Sequence, residues 1–217
     1  MNLLTLLQPK RLVFGTGCAD QCCELLTRER RCRILVVTSS RVLGALGDLM
    51  RQLESLEAAT TVYSGVDAEP TIGVFHEALA LATKTKADAV IGVGGGSAMD
   101  VAKLVAALAH TDQDVDDVFG IERVAARKVF LACLPTTSGT GSEVSPNAIL
   151  LDDRDHLKRG VISQHLVPDA AFVDPLLTLT VPPPVTAATG LDALVHCIVA
   201  YANKFAHPVV DLFALEG

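Results

Sequence analysis

Apolar runs alternate with amphipathic stretches along the first 135 residues. Arg33-Ile34-Leu35-Val36-Val37-Thr38 is apolar at consecutive positions and predicts a buried strand. Residues 42–57 carry leucines at helical spacing and predict a helix. Thr60-Thr61-Val62-Tyr63 predicts a second strand, and residues 71–86 a helix opened by Pro70-Thr71. Residues 87–94 predict a third strand, 98–110 an Ala-rich helix, and 129–134 a fourth strand. Such alternation builds βαβ units and a mostly parallel sheet. Strands apolar on both faces fit a sheet covered on both sides, so the fold class is α/β with helices on both faces.

After residue 135 the pattern changes. Ala148-Ile149-Leu150-Leu151 and residues 157–163 flank the charged segment Asp152-Asp153-Arg154-Asp155, which predicts a hairpin. Ala170-Ala171-Phe172-Val173 is a short strand. Pro182-Pro183-Pro184 cannot continue a helix or a sheet interior, although Pro184 can open a helix. A domain boundary is expected near residue 180. Residues 1–180 then form an α/β domain, and 181–217 begin an all-helical second domain with helices over 184–203 and 207–217.

Composition narrows the functional classes. Of 217 residues, 50% are hydrophobic and only 4% aromatic, without tryptophan, so the core is built from Leu, Val, Ile and Ala. The formal charge of −7, with no basic run beyond Arg28-Glu29-Arg30-Arg31, argues against a general nucleic-acid binder. Six cysteines without a C-x-x-C pair predict reduced, mostly buried thiols in a cytoplasmic protein. The N-terminal apolar patch is too short for a signal peptide, and its charges follow the patch. No apolar run of about 18 residues is free of charge and proline, so no membrane span is expected.

Three stretches carry candidate chemistry. Gly92-Val93-Gly94-Gly95-Gly96-Ser97-Ala98-Met99-Asp100 joins a strand to a helix. Glycines there let the backbone approach a phosphate, and the helix start supplies free N–H groups. The match to G-x-G-x-x-G is imperfect, because Ser97 holds the third glycine position, and Asp116 and Asp117 fall in a polar loop rather than at a strand end. Leu134-Pro135-Thr136-Thr137-Ser138-Gly139-Thr140-Gly141-Ser142-Glu143 also follows a strand, and its hydroxyls and N–H groups suit a pyrophosphate or ribose. Asp192 and His196 stand four apart, on one helix face, where a carboxylate and an imidazole can hold one divalent metal.

Together and in this order, these stretches resemble the iron-containing (group III) alcohol dehydrogenases, whose wider group includes glycerol dehydrogenase and dehydroquinate synthase. The likeness runs from Phe14-Gly15-x-Gly17 to the last residue. It implies a Rossmann-like dinucleotide domain, a helical domain and a cleft between them. Gly94, Gly95, Gly96 and Ser97 would cradle the pyrophosphate with Asp100 close by. Thr136, Thr137 and Thr140 would line the cofactor site, and Asn147, Lys158 and Leu177 match nucleotide-contacting positions. Asp192 and His196 match the first two ligands of the catalytic metal, Fe2+ ahead of Zn2+. Two further histidine ligands of that family fall beyond position 217.

The family's NAD-preferring members resemble Val-Thr-Asp after the first strand, whereas this chain has Val37-Thr38-Ser39-Ser40-Arg41. Without that acid no negative charge is expected to repel a 2′-phosphate, and Ser39 with Arg41 could bind one, so NAD or NADP is the expected cofactor. The implied function is metal-dependent, NAD(P)-linked interconversion of a small alcohol and its aldehyde or ketone. Its partner is a small-molecule substrate, not nucleic acid or membrane, with a homodimer left open. The alternatives are a truncated, non-catalytic NAD(P)-binding remnant and an NAD- and metal-using lyase of the dehydroquinate synthase kind.

Overall fold

The computed structural model describes residues 3–217. Strand β1 (Arg11–Phe14) and helix α1 (Asp20–Arg28) precede β2 (Arg33–Val37), the short helices α2 (Ser40–Leu43) and α3 (Gly47–Ser55), and β3 (Ala59–Tyr63). Helix α4 (Ile72–Thr85), β4 (Ala89–Gly94), α5 (Gly96–Leu108), α6 (Val115–Val118) and β5 (Gly120–Ile121) follow. Then come β6 (Phe130–Pro135), β7 (Asn147–Asp152), β8 (Leu157–Ile162), β9 (Ala170–Val173), α7 (Pro183–Ala202) and α8 (Pro208–Glu216).

The main sheet has six strands in the order β1-β9-β6-β4-β2-β3, and every pair in it is parallel. The expected α/β, mostly parallel architecture is thus the observed one. Alternation along the strands divides the core between the two faces. Leu35, Val37, Val90, Leu131 and Cys133 face α4 and α5 through Phe75, Ala78, Met99 and Leu104. Ile34, Val36, Ile91, Val93 and Leu134 face α1 and α3 through Cys22, Leu26, Leu49 and Leu53. Helix α5 buries ten of its thirteen residues, because it lies between the sheet and a second layer, and it is apolar nearly all round for that reason. That layer is the predicted hairpin, β7 antiparallel to β8, with β5 added in parallel to β8.

Four of the six cysteines are buried, Cys32 is exposed, and all six are free thiols. Burial pushes the Cys133 thiol up to about 12, which keeps it protonated and inert.

Several expectations are corrected. The single helix over 42–57 is two helices, α2 and α3, broken at Gly44-Ala45-Leu46. Gly44 and Gly47 weaken helical continuity, and the break lets Leu46 reach the core at 2% exposure. Asp116 and Asp117 sit in the helical turn α6, where Asp114 and Asp117 form a capping box, rather than in an open loop. Strand β1 and helix α1 had no sequence expectation at all.

Helix α7 also bears on the expectation of no apolar run of spanning length. By length and composition it is apolar enough to cross a membrane, and none of that window is buried. It carries Asp192 and His196 near its middle, groups that are costly at a bilayer centre. Leu194 and Ile198 are exposed on it, as are Leu212 and Phe213 on α8, which packs against it.

Candidate functional site

Parallel strands put their C-terminal ends on one edge of a sheet, and ligands of open α/β sheets bind there. Here β4 and β6 are neighbours, with Gly94 opposite Pro135, so the two glycine-rich loops leave the sheet side by side. The Thr136 N–H donates to Gly94 O at 2.9 Å and ties the loops at their roots. Strand β2 flanks β4 on the other side and delivers Ser39 to the same edge. Thr38, immediately before that turn, is fully buried, and its hydroxyl has no hydrogen-bond partner.

The loop after β4 has the form a phosphate requires. Gly94 takes φ +156°, and a Cβ on it would lie 2.8 Å from the Ala98 Cβ. A Cβ on Gly96 would stand 3.0 Å from the Thr140 side chain, so Thr140 closes the back of the loop. The N-cap of α5 is Gly95, which gives no side-chain cap, and the first-turn N–H groups keep their partial positive charge for a ligand. In front of the loop is a cleft of about 470 Å3, lined by Ser39, Arg41, Asp67, Gly95, Ser97, Thr136, Thr137, Leu176, Leu177, Thr180 and Val185, among others. Six of the residues expected to meet the cofactor, Ser39, Gly95, Ser97, Thr136, Thr137 and Leu177, therefore share one cavity.

The other expected residues sit differently. The Asp100 carboxylate is used within the protein: Oδ1 accepts from Ser142 Oγ at 2.6 Å and Oδ2 from Ile149 N at 3.0 Å. Burial raises its pKa. It anchors the end of the second loop and contributes no lining to the cleft. Its neighbour Lys103 is fully buried, and its Nζ donates to Ser145 O, Ser145 Oγ and Asn147 O at 3.0, 3.1 and 2.8 Å. Burial lowers the Lys103 pKa, against the pull of Asp100. Asn147 is thus held by its main chain at the start of β7, outside the cleft lining. Lys158 is exposed on β8 and pairs with Glu69, two residues beyond Asp67.

The glycine pair at the chain's first motif has a structural duty. Gly15 and Gly17 both take positive φ. The buried Asp174 accepts from Gly17 N and Leu176 N through Oδ1 and from Ala19 N through Oδ2, at 3.0–3.1 Å. One carboxylate thereby fixes the turn that carries Leu176 and Leu177 into the cleft.

Asp192 and His196 lie on one face of α7, with Oδ1 and Nε2 3.7 Å apart and both side chains open to solvent. That span suits two donors on one metal, each about 2.0–2.2 Å from it. Among the described residues no cluster of three or more His, Cys, Asp or Glu gathers for a metal, so the pair stands as two donors. The second glycine loop reaches this helix: a Cβ on Gly139 would lie 2.5 Å from Thr189 O. Only glycine permits that approach, and it brings the second loop within one turn of Asp192.

Asp67 has no counterpart in the sequence expectations. It lies in the segment after β3, and its Oδ1 accepts from Ser40 N and Ser40 Oγ, both at 2.8 Å. The Ser40 hydroxyl holds its pKa below the usual value. An acidic side chain thus lines this end of the cleft, although the stretch after β2 carries none. The carboxylate arrives from the neighbouring strand rather than from β2 itself. Its place after a parallel strand was the one local signal that could have flagged it.

Comparison with known proteins agrees with this geometry. The family model for iron-containing alcohol dehydrogenases matches residues 9–175. The chain is 38% identical to long-chain-alcohol dehydrogenase 1 of Geobacillus thermodenitrificans, over 100% of its own length and 56% of that protein. Among solved structures, the alcohol dehydrogenase of Oenococcus oeni superposes with a TM-score of 0.94 at 31% identity, covering 99% of this chain and 57% of that one. The sulfoacetaldehyde reductase of Bifidobacterium kashiwanohense, solved in complex with NAD+, superposes with a TM-score of 0.88 at 30% identity, covering 99% and 57%. The chain spans about half the length of the curated relatives it matches. The superpositions include nearly all of the chain, and the matched motifs sit where the fold gives them work, so the chain belongs to the iron-containing alcohol dehydrogenase family.

Proposed function

We propose that this chain forms the nucleotide-binding part, and two metal donors, of an NAD-linked, metal-dependent oxidoreductase that interconverts a small alcohol and its aldehyde. The observation that carries the reading is the convergence at one sheet edge. Gly95 and Ser97 at the uncapped start of α5 face one cleft with Thr136 and Thr137, and the close approach of Gly139 to Thr189 carries the second loop to the helix of Asp192 and His196. The relatives support alcohol and aldehyde chemistry rather than one chain length: one is named for long-chain alcohols, another for sulfoacetaldehyde with NAD+ bound. We read residues 1–180 as the nucleotide domain and 181–217 as part of a helical metal-binding domain.

The chain's residues have distinct tasks in this reading. The N–H groups at Gly95, Gly96 and Ser97 bind the pyrophosphate, with the helix dipole favouring its charge. Thr136 and Thr137 place hydroxyls along the nucleotide, and Leu176 and Leu177 give an apolar wall that excludes water from it. Asp192 and His196 would hold the metal, Fe2+ ahead of Zn2+. A divalent metal there supplies Lewis-acid polarisation of a hydroxyl or carbonyl oxygen, and the nicotinamide supplies hydride chemistry. Holding the two reactants in register is the protein's contribution.

The test is calorimetric titration of NAD into the chain, followed by alcohol oxidation assays with Fe2+ or Zn2+ present. Binding of NAD with metal-dependent turnover that vanishes in Asp192→Ala bears the proposal out. Binding without turnover restricts the chain to a nucleotide-binding role, and absence of NAD binding refutes both.

A further inference from the structure

We infer that Asp67 selects the cofactor: its carboxylate accepts the adenosine 2′-hydroxyl of NAD and turns away the 2′-phosphate of NADP. The inference rests on the dinucleotide-binding reading above and deepens it. In dinucleotide folds an acid at the end of a strand neighbouring the glycine-rich turn meets this hydroxyl. Here the end of β2 offers Ser39, Ser40 and Arg41 instead. The segment after β3 replaces the missing acid. Ser39 and Gly65 form an isolated antiparallel bridge, which joins the ends of β2 and β3. Ser40 then clamps Asp67 Oδ1 with its N–H and its hydroxyl, both at 2.8 Å.

Asp67, Ser39 and Arg41 line the same cleft as Gly95 and Ser97, so the clamped carboxylate stands on the ligand side of the turn. Oδ2 takes neither of the Ser40 bonds and serves as the acceptor. A ribose hydroxyl has a proton to give it. A phosphate monoester brings about −1.5 to −2 charges at neutral pH and no strong donor, so it meets repulsion. Arg41 lines the same cleft, and its charge helps hold the Asp67 carboxylate ionised. The tether makes the acid part of the cleft rather than a passing surface charge: two donors from one residue fix its position.

The experiment titrates NAD and NADP separately into the wild-type chain and into Asp67→Asn, by calorimetry at low and high salt. Asparagine keeps an oxygen for the Ser40 N–H and hydroxyl, and it replaces the Oδ2 acceptor with an NH2 donor, so the charge and the ribose acceptor are removed together. Thermal melts of the exposed Asp67→Asn position check that the fold is retained. The wild type is expected to bind NAD at least about tenfold more tightly, and Asp67→Asn to narrow that ratio by about tenfold, through gained NADP affinity together with lost NAD affinity. The wild-type gap should also shrink at high salt, since exposed charges are screened. Equal affinities in the wild type, or an unchanged ratio in Asp67→Asn, overturn the inference while leaving dinucleotide binding intact. Failure of the wild type to bind either nucleotide overturns the underlying reading instead, so the two failures are distinct.

Discussion

Replacing Lys103 with methionine asks whether the second glycine-rich loop is held from behind by a buried cation. Methionine keeps the apolar stem and the volume but has no donor. Ser145 O and Asn147 O, now 3.0 and 2.8 Å from the ammonium, each lose a charged partner, at roughly 1–3 kcal/mol apiece for a group left unsatisfied. Asp100 Oδ1, 4.0 Å from Nζ, loses its neighbouring cation, a gross attraction of about 4 kcal/mol at an effective dielectric near 20. In the other direction, the variant no longer strips water from an ammonium, a saving of several kcal/mol. Burial is the leading influence on both groups, lowering Lys103 and raising Asp100, so much of the gross attraction is already cancelled. The net loss is expected at about 2–4 kcal/mol. For a chain of this size that lowers Tm by roughly 5–15 °C.

Urea denaturation of Lys103→Met, Asp100→Asn and the double variant measures it, with a coupling of at least about 1 kcal/mol expected between the two sites. The pH dependence adds a second reading. The unfolded chain keeps the Lys103 proton up to about its ordinary 10.5, whereas the folded chain sheds it earlier. Between the folded value and 10.5 the unfolded state binds more protons, so this group's contribution to stability rises with pH, and Lys103→Met should lack that rise. A Lys103→Met protein within about 0.5 kcal/mol of wild type, with no coupling to Asp100, would show that the loop is not held this way.

The glycine turn gives a contrasting pair of predictions. Gly94→Ala should cost about 1–3 kcal/mol in thermal or urea melts, because the added carbon sits at φ +156° and 2.8 Å from Ala98. Gly95→Ala meets only the Thr137 side chain, Oγ1 at 3.4 Å and Cγ2 at 3.7 Å. It should cost under about 1 kcal/mol of stability yet weaken NAD binding at least about tenfold, by placing a methyl where the phosphate approaches. Acid stability should depend on Asp152, whose side chain is buried and accepts from Arg154 and Arg159. The Arg154 hydrogen bonds lead in holding its carboxyl below the ordinary 3.8. That contribution is full above 3.8 and fades as pH falls through the folded value, so Asp152→Asn should be less stable at neutral pH and show a flatter loss of stability on acidification. An unchanged acid limb would count against this role.

Much of the fold was legible because it is local in origin. Runs apolar on both faces, such as Ile34 to Val37, announce a covered parallel strand. Charged residues between two short strands announce the β7–β8 hairpin. A carboxylate and an imidazole four residues apart share a helix face whatever surrounds them, and glycine at a strand-to-helix turn opens the backbone to a phosphate wherever it occurs. By itself the sequence therefore determined the fold class, the two loops and the Asp192–His196 pair. It did not reveal α1, whose buried face depends on Cys22 and Cys23 packing beneath the sheet. Nor did it show that residues 42–57 must break so that Leu46 can enter the core. The order of the sheet, with β9 inserted between β1 and β6, was also decided by pairing across more than 150 residues of chain. Asp67 shows why such things escape a linear reading. Residues 40 and 67 have no periodic relation, and they meet only because β2 and β3 are adjacent parallel strands whose ends deliver both to one edge. Local patterning sets which elements form, whereas the charge at the mouth of a cleft is set by whichever chain ends the sheet brings together.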